Sequence, residues 1–502
     1  MTPMNALFHQ ATTQPDGTAF IYDDVVWTYH DLLTGAERLS RACLAQGVRP
    51  GDRVVLHMPN RPEMAIAVYA CFRVGAIACP TNLRFKTTEL RELFQRLRPA
   101  LYLGEEQLYS HLETIEPEIL AREKRFVIGP RGASGGAMPW SALLVDSVGA
   151  LPMPLEPDEH APALLLTTSG TTGAPKFVTH TPATLSAILK AFADTEFDGA
   201  QTVLNACPMV HGTGLFTLLL SVDSGAPMVM VERFDPDAVL DRIELHGCTW
   251  MLGLPFMYDA LLERQRKQPR KVSSLRHCKS GGDVCPIQLQ LEFEAAFGAP
   301  LRNVWGATEV VGALRGGLQP GPVSRIAPGA QIRLVDDEGR DVPRGEVGEF
   351  LARGPYVTVG YWAGPDRIDD ATSDGWYHSG DLMEQGDGDE LWFVGRKKDI
   401  IIRGGSNISP HEVERVLLSH PLVRDAVVFG IPDPVLGQRV AAAVQLSSGA
   451  GNAALGAILE DTRRQLADYK APERLWVVDA VPRSPLGKVD RRAAAATLGR
   501  AA

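Results

Sequence analysis

The 502 residues, 45% hydrophobic and 22% charged, can bury substantial cores and are too many for one ordinary domain, so at least two domains are expected. A formal net charge of -10, with no dense run of Lys or Arg, excludes the basic surface field that a nucleic-acid partner requires. Residues 1–9 lack the charged and apolar regions of a signal peptide, and no apolar run approaches bilayer-spanning length, so no membrane span and a cytoplasmic location are expected.

In chain order, 29–46 has the apolar spacing of an amphipathic helix, 53–56 of a short buried strand and 62–74 of a second helix. This alternation predicts an α/β core built on a parallel sheet. The Gly-, Ala- and Pro-rich stretch 129–139 predicts an exposed loop, and 163–166 resumes an apolar strand. Further on, 329–335 and 348–352 predict strands joined by a turn at 336–339, the mark of a smaller β-rich subdomain. The charged run Arg396, Lys397, Lys398, Asp399 then separates two segments that each look able to fold, which favours a linker over a merely solvated face. The last hundred or so residues carry strand and helix signals for a small α+β domain. The expected class is thus α/β: a large N-terminal domain, 1–395, of α/β subdomains plus a β-rich subdomain, a hinge at 396–399, and a small mobile α+β domain at 400–502.

The cysteines, Cys43, Cys71, Cys79, Cys207, Cys248, Cys278 and Cys285, are odd in number and form no C-x-x-C pair. Neither a zinc site nor a disulfide framework follows, and reduced, buried thiols are expected.

The segment Leu164-Leu-Leu-Thr-Thr-Ser-Gly-Thr-Thr-Gly-Ala-Pro-Lys176 is the most informative. Gly170 and Gly173 let the backbone turn its N–H groups toward an anion, the hydroxyls of Thr167, Thr168, Ser169, Thr171 and Thr172 add donors, and Lys176 adds a charge. Such a loop suits a polyphosphate. It is not a Walker A loop, because its glycine spacing is shorter and Phe177 follows the lysine. A flexible Ser/Thr/Gly linker is disfavoured by the strand before it and by Pro175.

This loop resembles the signature of the adenylate-forming superfamily of acyl-CoA synthetases, peptide-synthetase adenylation domains and luciferase. Further matches follow in the family's order: Pro208-Met-Val-His211, Gly281-Gly-Asp283, Trp305-Gly-Ala-Thr-Glu309, Trp376-Tyr-His-Ser-Gly-Asp381, Gly395-Arg-Lys-Lys-Asp399 and Pro485-Leu-Gly-Lys488. The resemblance implies that residues 168–176 hold the β- and γ-phosphates of ATP, that Thr308 contacts the α-phosphate and that Glu309 helps coordinate Mg²⁺. It implies that Trp305 packs on adenine, with the backbone at Gly281 and Gly282 approaching the base, that Gly306 belongs to the nucleotide site, and that Asp381 and Arg396 bind the ribose. Trp305 stands where Tyr is usual, Ser379 where Thr is usual and Phe177 where Gly is usual. Lys488 matches the catalytic lysine, a cation that offsets repulsion between carboxylate and α-phosphate. His211 either gates the thiol route or packs beside the acyl group.

By the same resemblance, Gly404 and Gly405 line a thiol tunnel, and the C-terminal domain rotates about Lys398 between half-reactions. The amino-acid-activating branch places an acidic residue where Pro208-Met-Val-His211 has none, and Asp235 after Phe234 lies in a helix-start context. An uncharged aliphatic or aromatic acid is therefore expected as substrate, with coenzyme A as acceptor. Relatives that pass the acyl group to an amine or a carrier protein keep similar residues, so these acceptors stay open. A homodimer is compatible with the sequence. A catalytically silent nucleotide-binding protein would be expected to have lost Lys176, Glu309, Asp381 or Lys488, and all four are present.

Overall fold

The computed structural model describes residues 1–129, 136–145, 158–168, 175–193, 197, 199–365, 367–404, 406–447, 452–484 and 487–499. The helix Tyr29–Ala45 begins where the sequence places it, because Thr28 and Asp31 form a reciprocal capping box. Its buried Leu32, Ala36, Leu39 and Cys43 recur at helical spacing and pack on the helix Pro62–Val74, which starts on a proline and stops at the left-handed Gly75. Each large apolar side chain so buried contributes roughly 1.5–3 kcal/mol before entropy is subtracted.

Two sheets flank this helical layer. One, of nine strands, runs in the order Arg367–Asp369, Gly360–Gly364, Lys176–His180, Leu164–Thr168, Ile77–Pro80, Arg53–His57, Leu101–Glu105, Arg125–Ile128, Met138–Pro139. From Leu164–Thr168 to Met138–Pro139 its pairs are parallel, and the other pairs are antiparallel. The expected loop at 129–139 thus ends in a short edge strand, and residues 130–135 lie outside the described ones. The other sheet, of seven strands, is parallel from Leu301–Asn303 through Thr18–Tyr22, with Val25–Thr28 added antiparallel at its edge. Helices cover the parallel parts, as crossover connections demand.

A six-stranded antiparallel sheet follows, containing the hairpin Gln331–Val335 and Val347–Arg353 and the pair Tyr377–Gln385 and Glu390–Arg396. This is the β-rich unit expected from the sequence. Lys397–Asp399 form a single 3₁₀ turn, after which Ile401–Arg403 enters a separate sheet with Val423–Asp433, Gly437–Leu446 and Arg474–Val477. Separate apolar clusters on its two faces, one with Ile408, Val413 and Leu417, the other with Phe429, Val481 and Ala494, give this C-terminal α+β unit a core of its own. Among the described residues, no helix is long and apolar enough to cross a membrane.

Candidate active site

A cleft of about 1570 Å³ lies where the two parallel sheets, the antiparallel sheet and the C-terminal unit meet. Thr168, Lys176, His211, Gly281, Gly282, Trp305, Gly306, Thr308, Glu309, Asp381, Arg396, Lys398 and Lys488 all line it. Ser169, Gly170, Thr171, Thr172 and Gly173 lie outside the described residues, as does Gly405. Gly404 is not brought to the cleft; it sits at φ +57° in the turn after Ile401–Arg403, its N–H bonded to Leu436 O.

Strand register explains the Asp381 cluster. Asp381 and Arg396 face each other across Tyr377–Gln385 and Glu390–Arg396, and their side chains form an ion pair of 3.3 Å. The Trp305 indole N–H donates to the other carboxylate oxygen at 2.7 Å. Burial raises the Asp381 pKa, and Arg396 and then the indole oppose that rise. The Trp305 ring meets Phe350 edge-on, with centroids 4.7 Å apart.

Glu309 lies within the tight turn closed by the bridge between Ala307 and Val310. Its carboxylate accepts from the Tyr361 hydroxyl at 3.2 Å, and the Lys176 ammonium lies 4.3 Å from the Tyr361 ring centroid. Burial pushes the Glu309 carboxyl above its usual range; its own backbone amide, Tyr361, Lys176 and Arg396 oppose this. The carbonyl of Thr308 accepts from His180 Nε2 at 2.9 Å, and burial holds His180 neutral with a pKa lowered to about 4.

His211 caps the helix Gly212–Ser224 through its backbone, and its ring lines the cleft. Burial, then the charges of Lys488 and Arg84, lower its pKa to about 4, so the imidazole is neutral at physiological pH. Lys488 projects from a turn whose ends, Arg483 and Val489, pair across it. Burial, then Arg396, hold its pKa below the usual lysine range, against Asp283, Asp381 and Glu309.

The unusual residue after the loop lysine has a structural account. Phe177 is buried at 2% exposure under the Arg96 guanidinium, 4.4 Å from its ring centroid, in the core beneath the nine-stranded sheet. Strand alternation therefore turns Phe177 inward and leaves Lys176 exposed. Asp235 caps the helix Pro236–His246 by accepting from Ala238 N at 2.9 Å. All seven cysteines are free and buried, and burial pushes the Cys207 and Cys285 thiols up to about 12. Neither is a nucleophile at neutral pH.

Tyr361, Tyr377 and Asp283, which line the cleft, and His180, buried behind Thr308, are the residues that sequence reasoning passed over. Tyr377 and Asp283 lie inside motifs already noted, whereas Tyr361 and His180 had no local signal beyond a place at a strand start or end.

Folds of this arrangement are those of adenylate-forming enzymes. The chain belongs to the AMP-binding enzyme family, whose model matches residues 7–362, with the family's C-terminal domain matching 412–488, and within it to the acyl-CoA synthetase branch. It is 31% identical over 499 residues to the medium-chain fatty-acid–CoA ligase of Escherichia coli, covering 96% of this chain and 88% of that one. It is also 31% identical over 487 residues to the indoleacetate–CoA ligase of Aromatoleum aromaticum, covering 95% and 94% of the two chains. The crystal structure of the anthranilate CoA ligase AuaEII in complex with anthranoyl-AMP matches with a TM-score of 0.91 at 25% identity, covering 100% of this chain and 98% of that one.

Proposed function

We propose that this enzyme activates an uncharged aliphatic or aromatic carboxylic acid with ATP, forming acyl-AMP and pyrophosphate, and then transfers the acyl group to the thiol of coenzyme A, releasing AMP. The observation that carries the reading is the seating of Lys488, from the C-terminal unit, in one cleft with Trp305, Glu309, Asp381 and Arg396. The wall formed by Phe192, Phe216, Leu220, Trp250 and Val311 is apolar, which favours an acid with an uncharged tail. Relatives named for an aliphatic and for an aromatic acid are equally similar, in keeping with that range.

In this reading Asp381 and Arg396 hold the ribose, Trp305 and the backbone at Gly281 and Gly282 hold adenine, and the loop ending in Lys176 holds the outer phosphates. Lys488 lies between the incoming carboxylate and the α-phosphate and lowers their mutual repulsion as one acid oxygen attacks phosphorus. Neutral His211 lines the thiol approach without adding positive charge. The assignment of 1–395 and 400–502 as domains turning about Lys398 is part of the proposal, and it supplies the route by which Gly404 and Gly405 would reach the cleft for the second step.

Among the described residues no group of three or more His, Cys, Asp or Glu could hold a metal alone. One buried carboxylate, Glu309, facing a phosphate site fits Mg²⁺, which takes few protein ligands and shares substrate phosphates. Bound there, Mg²⁺ would neutralise phosphate charge. Tyr361→Phe removes the hydroxyl donated to Glu309 and keeps the ring beneath Lys176, so the Mg²⁺ concentration for half-maximal nucleotide binding should rise about tenfold with the melting temperature nearly unchanged. Metal titrations followed by calorimetry with ATP measure this; an unaltered Mg²⁺ dependence rejects the tyrosine's role.

The function itself is tested by mass spectrometry after incubation with ATP and a panel of carboxylic acids, with and without coenzyme A. Acyl-AMP and pyrophosphate should form without coenzyme A, and the thioester and AMP with it. ADP and phosphate as products would reject adenylation, and acyl-AMP that persists beside coenzyme A would redirect the acceptor to an amine or a carrier protein.

A further inference from the structure

The turn that carries Lys488 enters the cleft with little slack. Gly487 has φ +80°, and a Cβ built there would lie 2.5 Å from the Phe256 ring, so the turn is pressed against the start of the helix Pro255–Lys267. Gly282, at φ +82°, faces the lysine's stem: a Cβ there would sit 3.8 Å from Lys488 Cε. Shape alone brings the turn near. The polar contact that fixes it comes from the next residue of the glycine motif, because Asp283 Oδ2 accepts the backbone N–H of Val489 at 3.1 Å, across 206 positions of sequence. Its other oxygen accepts from Val284 N at 2.9 Å, which orients the carboxylate. Each carboxylate oxygen thus takes one backbone donor, one from each of the two units that meet at the cleft.

We propose that Asp283 is a positioning residue: its carboxylate latches the Lys488 turn in the cleft for acyl-AMP formation and must release it before the second half-reaction. The inference rests on Lys488 serving the first half-reaction. The groups facing Lys488 fit such a latch, since Arg396 repels the ammonium while Asp283, Asp381 and Glu309 attract it. Asp283 differs from the other two in holding the turn's backbone as well as facing its charge. A second link between the units, Arg424 to Glu263 at 3.1 Å, is exposed and some distance along the same helix, so it provides a control that touches the interface and not the turn.

The test compares Asp283→Ala, Asp283→Asn and Glu263→Gln with wild type in two measurements. Hydrogen exchange in peptides covering 487–491 of the ligand-free protein reports the latch whether or not a substrate is known. Asp283→Ala should speed exchange there about tenfold or more, Asp283→Asn, which keeps an acceptor, by much less, and Glu263→Gln hardly at all. In single-turnover kinetics, Asp283→Ala should slow acyl-AMP formation about tenfold and leave thioester formation from supplied acyl-AMP unchanged or faster. Unchanged exchange at 487–491 in Asp283→Ala overturns the latch while leaving adenylation standing. Faster exchange with an undiminished first half-reaction overturns its positioning role. If wild type forms no acyl-AMP from any acid, it is the functional reading that fails, and the exchange experiment still decides whether Asp283 holds the turn.

Discussion

Lys488→Ala should slow acyl-AMP formation about a hundredfold or more, the scale on which one preorganised group stabilising transition-state charge acts. Thioester formation from synthetic acyl-AMP and coenzyme A should stay within about threefold of wild type, because in the proposed cycle the lysine has left the cleft by then. Equal loss in both steps would dissolve the division of labour. The pH dependence follows from the direction of the shift. Burial lowers the lysine's pKa, so the charged form, and with it the first half-reaction, is complete below that pKa and is lost as pH rises through it. The alkaline fall in kcat/KM for ATP should therefore begin below the ordinary lysine range. In Lys488→Arg, whose guanidinium does not deprotonate, that fall should disappear even if the rate at neutral pH is lower. An alkaline limb that persists in Lys488→Arg would assign the titration to another group.

Asp381→Ala should weaken ATP by about 1.5 to 3 kcal/mol, roughly ten- to hundredfold in Kd, while affinity for the acid changes little. Asp381 is 7% exposed and bonded to both Trp305 and Arg396, so its removal loses the proposed ribose acceptor and also leaves a half-buried indole N–H and a guanidinium without that partner. Asp381→Asn, which can still accept from one of them, should fall between wild type and Ala. Calorimetry with ATP and with acid separately tests the selectivity. An Asp381→Ala protein that binds ATP like wild type would remove this residue from the nucleotide site.

Much of the fold was legible because its signals are local. The amphipathic helix at 29–46, the apolar strand at 53–56 and the turn at 336–339 each declare themselves within a few residues. The cleft residues on short motifs, such as Trp305 to Glu309, were legible for the same reason. What stayed hidden depends on pairing across the chain. Tyr361 meets Glu309 from 52 positions away and Asp283 meets Val489 from 206, and no periodicity marks either partner. The family resemblance makes Trp305 a platform for adenine. Its N–H bond to Asp381, 76 positions on, could emerge only once the antiparallel sheet set Asp381 opposite Arg396. Phe177 looked anomalous in sequence because its surroundings, Arg96 and the sheet's far face, come from elsewhere in the chain.

If Asp381 takes the ribose as proposed, its bond to Trp305 also makes the enzyme its own optical sensor. An indole that donates its N–H to a carboxylate emits according to that partner's position and charge, and a nucleotide sugar would compete for the same oxygens. The chain has eight tryptophans, so a phase that is present in wild type and absent from Trp305→Phe at saturating nucleotide belongs to this one. Nucleotide entry could then be followed on the millisecond scale in a stopped-flow fluorimeter, before any acid is chosen and with no label attached to either molecule.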